Sequence, residues 1–85
     1  MPQISIFLGI IIKMYYDDHN PPHFHAKYGE YDAIISIDRG IVMGNFPKRA
    51  ESLVLEWLSL HRNELLDNWF RAAKGEQIRP IPPLE

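Results

Sequence analysis

The chain contains no cysteine. That excludes disulfide staples, thiolate catalysis and any cysteine-ligated zinc or iron–sulfur site. It also lacks a charge excess: nine Lys and Arg face eleven Asp and Glu, for a formal net charge of −2. No global pull toward nucleic acid or anionic membrane follows. The most apolar stretch, Ile4 to Ile12, is about half the ~20 residues that span a bilayer. It has neither a basic n-region nor a small-residue cleavage site, so it reads as a buried strand and not as a signal peptide. No anchor is visible; the expected place is the cytoplasm, with no membrane partner. Eighty-five residues are too few for a nucleotide-binding α/β enzyme of usual size, and they imply a single domain over residues 1–85.

What is present suits a folded chain. Hydrophobic residues make up 46% and charged residues 24%, too apolar for disorder. A domain this small buries only about two-thirds of its unfolded surface, so a partner surface adds stability.

Period-two patterning comes first. Ile4, Ile6, Leu8, Ile10, Ile12, Met14 and Tyr16 alternate with mixed residues. This predicts one strand over about 4–16 with its even face in the core, and Gly9 marks a bulge or bend in it. Pro21 and Pro22 stop the ladder. A second strand, 23–28, puts Phe24, Ala26 and Tyr28 on one face and His23, His25 and Lys27 on the other. Gly29-Glu30 suits a two-residue hairpin turn into a third strand, 31–38. That turn sets Tyr28 opposite Tyr31 and Lys27 opposite Asp32, an opposite-charge pair. Arg39-Gly40 offers another tight turn, pairing Ile37 with Val42 and Ser36 with Met43 in a fourth strand, 41–46.

Pro47 opens a helical pattern over 47–74. Ala50, Leu53, Val54, Trp57, Leu58 and His61 share one face. Leu65, Leu66, Trp69, Phe70 and Ala73 form a stripe rotated by roughly 100°. A break or bend near His61-Arg62-Asn63 reconciles the two, with Asn63 as a second cap; the other reading is one continuous helix whose second stripe meets a partner. His61 itself reads as a core or hinge histidine, and Trp57 and Trp69 as packing residues. The proline-rich tail, 76–85, is extended and either straps the domain or hangs free. The fold class is α+β: an antiparallel meander of about four strands, with one bent or two C-terminal helices on one face.

The other face carries the chemistry. Three of four histidines, His19, His23 and His25, fall within seven residues. Residues at i and i+2 of a strand point the same way, so His23 and His25 suit a divalent metal such as zinc, with His19, Asp17 or Asp18 as third ligand. Two neighbouring imidazoles also suit acid–base chemistry, His23 and His25 serving as the catalytic pair of a ribonuclease, with Lys27 or Arg39 steadying phosphate charge. A third reading is a binding surface of Tyr15, His19, His23, His25, Lys27 and Asp32. There Leu55, Leu66 or Phe70 completes a dimer or heteromeric contact. The plain alternative is half-exposed strand histidines beside a turn that Asp17 and Asp18 stabilise. No cofactor is established by these residues.

The opening from Met1 through Ala26, with His19-Asn20-Pro21-Pro22-His23-Phe24-His25 at its end, resembles the short bacterial proteins grouped as domain of unknown function 4160. So do Glu56-Trp57, His61 to Leu66 and Asn68-Trp69. The resemblance covers essentially the whole chain. It implies no established reaction and transfers no catalytic residue. It does imply a component of a toxin–antitoxin-type gene pair. The expected partner is a protein encoded nearby or a second copy, and an RNA-directed activity becomes worth testing.

Overall fold

The computed structural model describes residues 3–16 and 18–85; Met1, Pro2 and Asp17 lie outside the described residues. Five strands form one antiparallel sheet in chain order: β1 (Gln3–Phe7), β2 (Ile10–Lys13), β3 (His23–Tyr28), β4 (Tyr31–Ser36) and β5 (Val42–Asn45). One helix, α1 (Lys48–Ala73), follows. The architecture is α+β, with five strands where the alternation predicts about four.

The extra strand arises at Leu8-Gly9. Both residues take positive φ, 52° and 83°, the signature of a type I′ turn whose twist matches the strands it joins. The chain reverses there, and Phe7 pairs with Ile10. A register shift between Gln3 and Ser5 turns both Ile4 and Ser5 inward. The even-face rule therefore holds for Ile10, Ile12 and Met14, all fully buried, and fails for Ile6, Leu8 and Tyr16, which are exposed.

The β3–β4 hairpin has the register that its Gly-X turn dictates: Tyr28 opposes Tyr31 and Lys27 opposes Asp32. The next turn differs from expectation. Met43 pairs with Ile34 and Val42 with Ile35, two residues earlier on β4 than the Arg39-Gly40 turn predicts. The Ile37 N–H donates to the Pro22 carbonyl, and Ser36 closes the loop through bonds with Gly40 and Ile41. A slip of two preserves the faces, so Met43 stays on the open side. Gly44 lets β5 approach closely. Its φ is +121°, and an added Cβ would stand 2.7 Å from the Asp32 carbonyl oxygen.

The helix covers one face. Phe24, at 0% exposure, meets the Trp57 ring at 5.8 Å, and Phe7 meets it at 5.3 Å. Pro47 is the cap, and Lys48 the first helical residue. The helix is one element with non-helical angles at His61 (φ −126°, ψ 23°), so the bend falls at His61 itself. Glu64 accepts from the His61 ring at 2.6 Å. Beyond the bend the buried positions are Leu65, Asn68, Trp69 and Ala72; Phe70 and Ala73, on the second apolar stripe by spacing, are exposed.

The tail docks as a strap. Ile78 and Ile81 are buried. Ile81 donates its N–H to the Ile4 carbonyl on β1, and the Trp57 indole donates to the Pro82 carbonyl at 2.8 Å.

Candidate metal centre

Strand alternation builds the site. With Phe24 and Ala26 locked into the core, His23 and His25 must leave β3 on the opposite side. Their rings lie 5.4 Å apart. The loop from β2 to β3 brings Asp18 over them. Asp18 Oδ2 lies 2.8 Å from His23 Nε2 and 3.2 Å from His25 Nε2. One donor atom from each of the three residues falls within 4.8 Å of the others.

His23 is the fixed member. Its Nδ1 lies 2.8 Å from the Pro21 carbonyl oxygen. A carbonyl only accepts, so the proton sits on Nδ1. Trp69, from the far half of α1, packs on the same ring at 5.1 Å, and His23 is 9% exposed. Tyr15 sets its ring edge against His25 at 4.5 Å. Partial burial pushes the Asp18 carboxyl up. The His25 hydrogen bond, the charge of His23, the His19 backbone N–H and the His23 hydrogen bond outweigh it and hold the group below its ordinary value.

His19 stands apart. Its side chain is 91% exposed, with Nδ1 3.5 Å from Asp18 Oδ1, on the solvent side of the carboxylate. Lys27 and Asp32 face each other across strands at 3.8 Å. They line a neighbouring hollow of about 360 Å³ together with Tyr15 and His25. The histidine pair and Asp18 wall a larger groove of about 620 Å³, floored by Ile34, Ile41 and Met43 and edged by Arg39. His61 lies away from this face, in the helix bend.

Sequence reasoning missed two supports. The Pro21 carbonyl is a backbone group and leaves no side-chain signal. Trp69 reads as a core residue, which it is, yet the same ring also buries His23.

The family model described as Domain of unknown function (DUF4160) matches residues 9–70. The chain belongs to this family. The DUF4160 span holds Asp18, His23 and His25, so the three converging side chains sit within the family's own region. No curated protein and no solved structure matches the chain. Among the described residues, no helix is long and apolar enough to cross a membrane.

Proposed function

We propose that this DUF4160 chain is a metal-dependent enzyme of the hydrolytic kind, with Asp18, His23 and His25 as ligands of one divalent transition-metal ion, zinc foremost. The observation that carries this reading is the orientation of His23. A metal-bound imidazole typically donates its other N–H to a carbonyl or carboxylate, which fixes the tautomer. His23 does so to Pro21, and its Nε2 stands 2.8 Å from the Asp18 carboxylate. Two electron-rich atoms at that distance call for a proton or a cation between them. Two histidines and a carboxylate leave coordination positions open, the pattern of catalytic zinc. A bound ion there supplies a polarised water at neutral pH.

The same geometry disfavours a metal-free acid–base pair. Both His23 nitrogens are engaged, so a metal-free pair would need Asp18 to withdraw before His23 exchanged a proton with a substrate.

Elemental analysis of tag-free protein tests the proposal. About one equivalent of zinc is expected, lost in His23→Ala and His25→Ala and retained in His19→Ala. A native chain that takes up no zinc at micromolar concentration overturns it.

A second reading rests on a different observation. Ile34 and Met43 are 39% and 65% exposed on the uncovered sheet face, and Ile41, in the loop before β5, is 51% exposed. We infer from this apolar surface an interaction role; the resemblance noted above implies a toxin–antitoxin-like gene pair as its setting. Copurification with the adjacent gene's product supports it; the absence of any complex at micromolar concentration ends it.

A further inference from the structure

The groove around the candidate ion has a chemical polarity of its own. Lys13, His25, Ile34 and Met43 oppose one another in turn across β2, β3, β4 and β5. They form one row of about 14 Å on the open face, at ~4.8 Å per strand. Lys13 is thus the cross-strand neighbour of a proposed ligand, and Lys27 lies two residues further along the same strand. Arg39 edges the groove from the β4–β5 loop. At the other end of the row, Ile34 and Met43 make an apolar floor shared by both hollows.

The charges of these hollows balance one for one without an ion: Lys13, Lys27 and Arg39 against Asp18, Asp32 and Asp38. A divalent ion tips the balance positive where Lys13 and His25 meet. A ligand that answers both ends of the row carries a compact anion joined to an organic group.

We propose that the groove binds an organic phosphate ester. The phosphoryl oxygens lie between the ion and Lys13, and the organic group covers Ile34 and Met43. This rests on the metal reading above. The shared chemistry is found in a free nucleotide and in the backbone of single-stranded RNA.

Calorimetry on the full chain separates the two proposals. Zinc alone is titrated first into ion-free protein. Failure of zinc to bind overturns the metal centre. The loaded protein is then titrated with adenosine monophosphate, a ribodinucleotide diester, adenosine and inorganic phosphate. Either ester binding about 10-fold or more tightly than both adenosine and inorganic phosphate supports the proposal. A tighter monoester marks a free nucleotide, and a tighter diester marks RNA. Adenosine or inorganic phosphate binding as tightly as the esters overturns the proposal while leaving the metal centre standing. So does failure of both esters to bind near 1 mM. Met43→Ser is expected to weaken the ester and spare inorganic phosphate. Lys13→Gln is expected to weaken both, and unchanged ester affinity in Lys13→Gln counts against the assigned pose.

Discussion

Asn68 grips Arg79 twice. Its side-chain N–H donates to the Arg79 carbonyl and its side-chain oxygen accepts from the Arg79 N–H, both at 2.8 Å. The amide is 1% exposed and substitutes for a strand partner that the tail lacks. Asn68→Ala leaves two main-chain groups unpaired and is expected to cost about 2–3 kcal/mol. Urea unfolding measures it; a loss under about 0.5 kcal/mol shows that the other tail contacts suffice to hold the strap.

Acid stability follows from Asp18. Its folded pKa is held below the ordinary value of 3.8, so the ionised carboxylate stabilises the fold at higher pH. That contribution is lost as pH falls through the folded value. Ion-free native protein is expected to lose stability more steeply as pH falls below about 4 than Asp18→Asn. Parallel acid limbs would show that the carboxylate makes no net contribution.

Metal removal has a thermal signature. An ion that binds only the native state adds about 2.7 kcal/mol at a hundred times its Kd. A chain of this size shifts by roughly 4–8 °C per kcal/mol. Chelation is expected to lower Tm by about 10 °C or more, and the shift to vanish in His25→Ala.

Leu8 holds a left-handed backbone, φ 52°, that costs most side chains about 1–2 kcal/mol. It is 63% exposed, so little packing is at stake. Leu8→Asn is expected to stabilise by about 0.5–1 kcal/mol, because Asn-Gly is the favoured pair for this turn. Thermal denaturation reads it; a lowered Tm would mean that the leucine packs more than its exposure indicates.

Ser5 buries a hydroxyl with no hydrogen-bond partner among the described residues. Ser5→Ala removes that group and is expected to be neutral or to stabilise by up to about 1 kcal/mol. A clear loss of stability in chemical denaturation would point to a partner for the hydroxyl.

These residues also mark where a one-dimensional reading runs out. Alternation in β3 was legible because Phe24 and Ala26 are apolar and their neighbours are not. The helix bend was legible because two apolar stripes cannot share one straight axis. The first hairpin was not: leucine is a poor turn former, and nothing in Ile-Phe-Leu-Gly-Ile announces a left-handed backbone. Nor was the five-residue path from Ile37 to Ile41, since a slip of two leaves the same faces. At the centre, spacing brings His23 and His25 together, while the choice of Asp18 over His19 depends on how the loop folds back. Asn68 was invisible as a buried residue because its partner is main chain.

One border of the sheet is sealed by the chain's own tail, through the bond from Ile81 to Ile4. A molecule clipped ahead of Ile78 would bare that border, leaving adhesive flanks at β1 and at β5. Such a fragment is expected to associate edge to edge more readily than the intact chain.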